Sequence, residues 1–314
     1  MNYKQSLSLR QKLLVICGQT GTGKTSLAIF LAKKFNGELI SADSRQVYKG
    51  LNIGTGKDLK EIEKSKVKIW GYDLVEPKKN FSVGNYIRFA QKVILDVQKR
   101  GKLPILVGGT GLFIKGVVDG IPTAFIPRNM KLRKNLEDKS QVELFEMLAH
   151  LDPIRAGSMN ISDKLNPRRL IRGIEVAMWS LEKKTFRIFR KTKYDLLEIG
   201  LQTSQGNLCK KIEKRVDKRI GEGIEAEIKG LISSGISWDS QSMTSLGYRQ
   251  WRGYFEDRIT KDEVVNNWKK EELKYAKRQL TWFKKDPRIN WFDSAKQDFM
   301  ENVEKLVKKW YPKP

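Results

Sequence analysis

The residues with the clearest chemical potential lie in one glycine-rich stretch near the amino terminus. It reads G-x-x-x-x-G-K-T, a spacing that lets successive backbone N–H groups point at a single anion. Lys24 supplies a mobile positive charge for phosphate oxygens, and the Thr25 hydroxyl is suited to binding Mg²⁺. The pattern predicts a P-loop that binds a diphosphate or polyphosphate, made of Gly18, Gln19, Thr20, Gly21, Thr22, Gly23, Lys24 and Thr25.

Two more groups that could take part in chemistry follow predicted strands. Asp43 comes after the apolar stretch Glu38–Ala42, and Thr110 lies in the glycine turn after Leu103–Val107. Ligands of open α/β sheets bind beyond the carboxyl ends of the strands, so we expect both side chains near the P-loop. There the Asp43 carboxylate could accept a proton, hold a hydroxyl or bind Mg²⁺ through water. An aspartate that caps a turn, and a simple β–α turn at Thr110, are the alternatives.

The elements that position these groups alternate between strands and helices. Leu13–Cys17 has the apolar run of a buried parallel strand, and Ser26–Phe35 has the one-turn spacing of a helix. We predict an α/β fold, a P-loop NTPase-like parallel sheet flanked by helices and interrupted by an inserted all-helical domain. Further predicted elements are strands at Val67–Leu74 and Leu196–Leu201, the latter being the last strand, and helices at Asn80–Arg100, Asn207–Ile220 and Asp262–Phe283.

The inserted domain is predicted from a change in composition. From about Ile121 the chain becomes charged and poor in strand signals, so we place a helical insertion at residues 122–194, between core segments 1–121 and 195–314. Asn166 and Pro167 form a good helix start, as cap and first helical residue. Arg168 and Arg172 then share a face that suits phosphates, with a solvated charged face as the alternative.

The composition is that of a folded protein with an excess of positive charge. Hydrophobic residues make up 39% of the 314 residues, and the formal net charge is +25. A polyanionic partner accounts for this charge, and a lysine-rich proteome is the alternative. Two cysteines and one histidine cannot build a zinc site, and no apolar run approaches the roughly 18 residues that span a bilayer. We expect a cytoplasmic protein without membrane contact and, by default, a monomer.

Aromatic and basic residues alternate in the carboxyl-terminal third. Gly247–Gln250 is a predicted turn that sets the Tyr248 ring beside Arg249, and Trp268, Tyr275 and Trp282 follow among lysines and arginines. Single-stranded nucleic acids are bound by rings that stack on bases and by cations that follow the backbone. The pattern favours an RNA partner, although individually such rings more often belong to a core.

Taken in order, these motifs resemble those of the tRNA dimethylallyltransferases, also called tRNA isopentenyltransferases. Departures are mild: Gln19 and Gly21-Thr22 replace the usual Pro and Ala-Ser, and Gly56 and Asp58 replace Ala and Pro of Thr-Ala-Lys-Pro. The cysteines are too few for the zinc finger of many eukaryotic members, so the resemblance is to the bacterial form. The matching stretches cover nearly the whole chain and are Gly18–Thr25, Ile40–Thr55, Leu106–Leu112, Asn166–Arg172, Gly247–Gln250 and Lys277–Phe283.

The resemblance implies an ATP-independent transfer from dimethylallyl diphosphate to the exocyclic amine of the adenosine just 3′ of the anticodon. The P-loop would hold the pyrophosphate, with Mg²⁺ at Thr25 and Arg215 as a further pyrophosphate contact. Asp43 would act as base or acceptor for the amine, which Thr110 would help to position. The residues implied to contact the tRNA anticodon stem-loop are Asp43, Ser44, Arg45, Gln46, Thr110, Arg133, Arg168, Arg169, Leu170, Ile171, Arg172, Gly247, Tyr248 and Arg249.

Two other classes of function remain open from the residues. A small-molecule or nucleoside kinase could use ATP in the same loop, but this leaves the charge excess and the aromatic–basic region unexplained. An RNA-binding protein could carry a relic P-loop, but a relic has no reason to keep Lys24, Thr25 and Asp43 together.

Overall fold

The computed structural model describes residues 11–182 and 194–312, whose contacts form two compact units. One unit combines the described residues up to Asp119 with those from Tyr194 onward, and the other begins at Gly120. The last part of the insertion predicted from the sequence, residues 183–193, lies outside the described residues.

The first unit is built on a six-stranded sheet in which every neighbouring pair is parallel, in the order β3-β2-β4-β1-β5-β6. The predicted α/β fold with a parallel sheet is confirmed. The strands are β1 (Lys12–Gly18), β2 (Gly37–Ser41), β3 (Ile69–Trp70), β4 (Leu103–Val107), β5 (Asp195–Gln202) and β6 (Ile289–Asp293).

Two strand predictions differ from the structure, one in its length and the other in its place as the last strand. The strand expected at Val67–Leu74 is only two residues long, because the backbone turns left-handed at Gly71, with φ 99°, and at Asp73, with φ 55°. The strand at Leu196–Leu201 is not the last, since β6 adds to it at the edge of the sheet. The sequence of β6, INWFD, is short and only partly buried, so it lacks the apolar run that marks an inner strand.

Helices cover the sheet and make up the second unit. In the first unit they are α1 (Lys24–Phe35), α2 (Leu59–Ser65), α3 (Val83–Lys99), α4 (Gly111–Val118), α10 (Gln205–Gly221), α11 (Ile224–Ser233), the single turn α12 (Arg252–Phe255), α13 (Lys261–Phe283) and α14 (Phe299–Trp310). In the second they are α5 (Met130–Leu136), α6 (Gln141–Leu151), α7 (Pro153–Ser158), the single turn α8 (Ile161–Lys164) and α9 (Pro167–Glu182). Among the described residues, none of the helices combines the length and apolar character needed to cross a membrane.

The central strand β1 is apolar from Leu13 to Cys17 because both of its faces are buried there. Leu13, Val15 and Cys17 point to the face that α3, α4, α10 and α13 cover, whereas Leu14 and Ile16 point to the face under α1 and α14. Successive side chains of a strand alternate between faces, so a continuous apolar run is what a strand between two helical layers requires. The sheet is thereby fixed in register, and so are the loops that leave its carboxyl edge.

The second unit has a small core of its own, which includes Leu136, Leu144, Leu148 and Leu170. Its longest helix, α9, begins at Pro167, and the Asn166 side chain accepts a hydrogen bond from the N–H of Arg169 at 3.3 Å. This is the cap-and-proline start predicted from the sequence.

Candidate active-site cleft

A cleft of about 750 Å³ lies at the carboxyl edge of the sheet in the first unit. The P-loop leaves β1, Asp43 follows β2 and Thr110 follows β4, and all three line the cleft. Parallel strands end at the same edge, and β1 neighbours β4, which neighbours β2. The topology therefore brings together residues that lie far apart in the sequence.

The P-loop depends on glycine in its backbone geometry. Gly18, Gly21 and Gly23 have φ values of 128°, 77° and 82°, which other residues rarely adopt. At Gly18 a Cβ would also collide with the carbonyl group of Leu201 on β5. The loop passes directly into α1 at Lys24, so the positive end of the helix dipole lies beside the cleft.

Lys24 and Arg215 place two positive charges next to the loop. Lys24 Nζ donates to the carbonyl of Gln19 at 2.6 Å, and Arg215 Nη1 donates to Thr20 Oγ1 at 3.0 Å. Burial, reinforced by the charge of Arg215, lowers the pKa of Lys24 to about 8. An anion bound here would relieve the repulsion between the two cations, which is the electrostatic setting of a diphosphate site.

Arg219 extends this cationic wall. It is ion-paired with Glu272 at 3.0 Å, and its burial lowers its pKa to about 10. Gly56, which has a φ of 63°, lies against the guanidinium groups of Arg215 and Arg219, and a Cβ there would overlap both. Glycine at this position thus allows two arginines to stand side by side in the cleft wall.

Hydrogen bonds of Thr110 join its turn to the loop that carries Asp43. Asp43 Oδ1 accepts from the N–H of Arg45 at 2.8 Å, and Thr110 Oγ1 accepts from the N–H of Ser44 at 3.0 Å. The N–H of Thr110 donates in turn to the carbonyl of Ala42 at 3.0 Å. Asp43 Oδ2 has no hydrogen-bond partner in the described part of the chain, and it is available to a ligand. The turn role of Asp43 therefore occupies only one of its two oxygens.

Arg45 and Gln46 hold the loop that follows Asp43. Arg45 Nη1 donates to the carbonyl of Gln241 at 2.6 Å. Gln46 Oε1 accepts from Ser41 Oγ at 2.8 Å, and its Nε2 donates to the carbonyl of Gly56 at 3.1 Å. The side chains of Arg45 and Gln46 thus have partners within the protein, and their contacts with tRNA stay a prediction. Ser44 lines the cleft, and its contact with tRNA also stays a prediction.

Glu227 of α11, which was not predicted from the sequence, is the anchor of the next loop segment. Its carboxylate accepts hydrogen bonds from the backbone N–H groups of Asn52, Ile53 and Gly54 at 2.9 to 3.2 Å. Tyr248 donates its hydroxyl to the same carboxylate at 2.6 Å. The carboxylate thus accepts from four donors, three of them in the loop. These bonds hold in place the loop whose Gly56 lies against Arg215 and Arg219. No local pattern marks this role, because the backbone partners of the carboxylate lie more than 170 residues away along the chain.

One face of the long helix α13 lines the cleft. Glu272, Tyr275, Gln279 and Trp282 recur at intervals of three or four residues, the spacing of one helix face. Glu272 contacts Arg219, and Tyr275 contacts the hydroxyl of Thr110. Gln279 contacts both the P-loop and Gly109, and Trp282 contacts Gly111. Tyr275 and Trp282 belong to the aromatic–basic pattern of the sequence, whereas Glu272 and Gln279 were not predicted, although their helical spacing was the signal that could have found them.

Several residues expected to contact RNA are in the core. Tyr248 and Trp268 have no exposed surface, so neither ring can stack on a base, and Leu170 is equally buried in the second unit. Gly247, with a φ of 89°, packs against Gly54 and Trp268. Tyr248 and Trp268 are thus core rings, the alternative that the sequence left open, because aromatic and leucine side chains bury most of their area when the fold allows it. The tRNA contacts expected at Tyr248 and Leu170 stay a prediction.

Arg249 differs from its neighbour Tyr248. Its side chain is 47% exposed, lines the cleft and pairs with Glu271 at 2.8 Å. Among the aromatic residues of α13, Trp282 is 42% exposed at the same cleft. Of the residues in the aromatic–basic pattern, Arg249 and Trp282 are therefore exposed at the cleft surface.

The arginines of the second unit fall into two groups. Arg133 and Arg172 both pair with the buried Glu175, at 2.6 and 3.0 Å, and Arg172 also donates to two backbone carbonyls. Arg169 pairs with Asp163, whereas Arg168 is exposed without a partner in the described residues. Arg168 and Arg172 do not form the shared free edge expected from their spacing; Ile171 is half-buried at the core of the unit.

The cleft offers oxygen atoms, the ligands that Mg²⁺ prefers, and Thr25, Asp43 and Asp58 all line it. In the described part of the chain no three histidine, cysteine, aspartate or glutamate side chains are grouped as a metal cage. Mg²⁺ is commonly held by one or two protein oxygens together with substrate phosphates and water. The donor set fits such a shared site and not a site for zinc.

Known proteins resemble the chain over nearly all of its length. A model of the family described as IPP transferase matches residues 46–286. A tRNA dimethylallyltransferase of Carboxydothermus hydrogenoformans is 39% identical, covering 95% of this chain and 97% of that protein. One of Anoxybacillus flavithermus is 37% identical, covering 93% of each.

Solved structures agree with these relatives. A full-length tRNA isopentenylpyrophosphate transferase of Bacillus halodurans superposes with a TM-score of 0.72 at 32% identity, over 96% of this chain and 97% of the other. A eukaryotic dimethylallyltransferase, captured acting on tRNA, gives a TM-score of 0.78 at 25% identity, over 95% of this chain and 78% of the other.

Proposed function

The chain belongs to the IPP transferase family, and we propose that it transfers a dimethylallyl group from dimethylallyl diphosphate to tRNA. The acceptor is the exocyclic amine of the adenosine 3′-adjacent to the anticodon, and pyrophosphate is released. The observation that carries the proposal is the position of Asp43 and Thr110 in the same cleft as the P-loop, Lys24 and Arg215. A proton acceptor and a diphosphate site in one cleft are what this displacement requires.

The reaction joins the adenine nitrogen to the first carbon of the prenyl chain as that carbon's bond to the diphosphate oxygen breaks. Asp43 Oδ2 takes the proton that the amine loses, and Thr110 holds the amine in line with the departing oxygen. The electron pair of the broken bond leaves with pyrophosphate. Lys24, Arg215 and the N–H groups of the P-loop stabilise the negative charge that develops there, so binding energy acts on the leaving group.

Mg²⁺ belongs to this proposal as a cofactor shared between the protein and the diphosphate. The Thr25 hydroxyl would hold it, and the ion would supply charge neutralisation for the pyrophosphate. The protein's own cations are placed for the same task, since Lys24 and Arg215 both line the cleft.

The tRNA must present an unstacked base to this cleft. A base inside a stacked loop cannot reach Asp43, so the target adenosine has to be splayed out of the anticodon loop. Arg249 and Trp282 are exposed in the cleft wall and suit a phosphate and a base. The net charge of +25 suits the polyanionic substrate.

Label transfer tests the proposal directly. Radiolabelled dimethylallyl diphosphate, unmodified tRNA and Mg²⁺ are incubated with the protein in the absence of ATP. We expect label in the RNA at the adenosine 3′ of the anticodon, and a tRNA with guanosine at that position serves as the matched control.

The main alternative is a kinase that uses ATP in the same loop. ATP consumption with a small acceptor, together with no label in the RNA, would replace the prenyl-transfer proposal by the kinase. Thermal stabilisation by dimethylallyl diphosphate and not by ATP would argue in the opposite direction.

A further inference from the structure

Gln279 of α13 joins the P-loop to the turn that carries Thr110. Its Oε1 accepts a hydrogen bond from the N–H of Thr20 at 2.7 Å, and its Nε2 donates to the carbonyl of Gly109 at 3.0 Å. The residue is 5% exposed, so water does not compete for these bonds. A single side-chain amide is thus hydrogen-bonded to the P-loop through its oxygen and to the turn that carries Thr110 through its nitrogen.

Gly109 is a glycine because of this amide. A Cβ at this position would collide with Gln279 Nε2, whereas the next neighbouring residue, Gly18, contributes a carbonyl oxygen 3.8 Å away. The φ of Gly109 lies outside the left-handed region, so the backbone itself would accept alanine. The close approach of Gln279 is therefore what excludes a side chain at 109.

Neither half of the site needs Gln279 in order to bind its own ligand. The diphosphate has Lys24, Arg215 and the P-loop N–H groups other than that of Thr20, and the amine has Asp43 and Thr110. What the amide adds is a fixed separation between the two halves. Displacement at carbon requires the attacking nitrogen and the leaving oxygen to be in line, and a misplacement of about 1 Å can cost about 10²-fold in rate.

We propose that Gln279 is a positioning residue that holds the diphosphate loop and the Thr110 turn at the separation the transfer needs. This inference rests on the proposed function and adds a residue that acts through Thr20 and Gly109, without touching either substrate. A role of Gln279 in aligning the two loops would appear as a change in kcat, whereas a role only in supporting the fold would appear as a change in stability.

The first test replaces Gln279 by methionine, which has a similar length and volume but no hydrogen-bonding amide. The matched control is Asn266→Met, which removes an exposed amide from the same helix. We expect kcat of Gln279→Met to fall about 10²-fold, while KM for dimethylallyl diphosphate and Kd for tRNA change by less than about threefold. Asn266→Met should behave as the wild type in all three.

Stability is measured beside activity, by thermal unfolding and by the stoichiometry of pyrophosphate binding. If Gln279 only supports the fold, the unfolding temperature and the bound fraction fall while kcat per bound site stays at the wild-type value, and this outcome would overturn the inference. Wild-type protein without transfer would instead overturn the proposed function itself, so the two failures are distinguishable.

A double-mutant cycle tests the same contact from the opposite side and remains informative if the methionine variant folds poorly. Gly109→Ala should lower kcat, because the added methyl displaces the amide. In Gln279→Ala the space is free, so adding Gly109→Ala should cause no further loss. Losses that multiply in the double variant, or a Gly109→Ala protein with wild-type kcat, would contradict the inference.

Discussion

At the scale of single residues, the cleft places a proton acceptor, Asp43, in one cavity with the cations of Lys24, Arg215 and Arg219. Asp43 uses one carboxylate oxygen for its own turn and leaves the other free. Lys24 is held near the point of losing its charge, because burial and the neighbouring Arg215 both disfavour the protonated form. The proposed transfer needs these groups in opposite roles, one taking a proton and the other remaining charged toward the diphosphate.

Replacing Asp43 by asparagine tests the acceptor role. Asparagine can still accept from the N–H of Arg45, so the turn is kept, but it cannot take the proton of the amine. We expect kcat to fall by about 10²- to 10⁴-fold while tRNA affinity stays close to the wild type. Asp262→Asn, at an exposed position of α13, is the matched control. Unchanged turnover by Asp43→Asn would remove the carboxylate from the mechanism.

The lowered pKa of Lys24 predicts how diphosphate binding depends on pH. The side chain is charged below about pH 8 and loses its charge as the pH rises through that value. A diphosphate monoester, whose terminal phosphate ionises near about pH 6, binds the charged form, so its affinity should fall as the pH rises through about 8. Titration calorimetry between neutral and alkaline pH measures this. Lys24→Met should bind more weakly and show a flat profile, and an equal slope in both proteins would assign the titration to another group.

At the scale of elements, two helices position the cleft loops from a distance. Helix α13 contacts both glycine turns and the arginine wall along one face, and α11 offers Glu227 to three consecutive backbone N–H groups. The loop between Asp43 and α2 contains no α-helix or strand, and the bonds from Glu227 hold it in addition to the turn bonds within the loop itself.

Glu227→Gln should therefore destabilise the protein. In either orientation the amide places an NH₂ group against backbone N–H donors that the carboxylate now satisfies. We expect a loss of about 1–3 kcal/mol in the free energy of unfolding, measured by urea denaturation. The control Glu63→Gln, at an exposed position of α2, should change stability little. A neutral effect of Glu227→Gln would mean that solvent replaces these bonds.

At the scale of the whole molecule, the positive charge divides between internal pairs and free surface. In the second unit Arg133 and Arg172 neutralise the buried Glu175, while Arg168 is exposed without a partner in the described residues. Arg133 and Arg172 therefore stabilise the second unit, whereas Arg168 is free to contact a polyanion. Net charge alone does not separate these roles.

Arg168→Gln and Arg133→Gln form a matched pair that separates them. The first should weaken tRNA binding and reduce the slope of log affinity against log salt by about 0.7–0.9, the contribution of one phosphate contact. The second should lower the free energy of unfolding by roughly 2 kcal/mol, since Glu175 loses a charged partner. Filter binding across a salt series and urea denaturation measure the two effects. An unaltered salt slope in Arg168→Gln would identify that side chain as a solvated charge.

The sequence by itself determined the P-loop, the order of most strands and helices, and the placement of Asp43 and Thr110 at strand ends. These features follow from local signals: glycine spacing, apolar runs of strand length, and the rule that parallel strands end at one edge. The boundaries of β4 match the predicted Leu103–Val107 residue for residue. Edge strand β6 was not predicted, because a half-buried strand lacks the apolar run that marks an inner strand.

Only the tertiary structure decided which side chains face the cleft and which hold it together. Tyr248 and Trp282 have the same aromatic–basic context in the sequence, yet one is fully buried and the other is exposed in the cleft wall. Gln279 bonds Thr20 and Gly109, which lie 259 and 170 residues away along the chain, and Glu227 bonds the backbone of Ile53, 174 residues away. Such contacts carry no local period, because they depend on how the strands are ordered and how the helices pack across them.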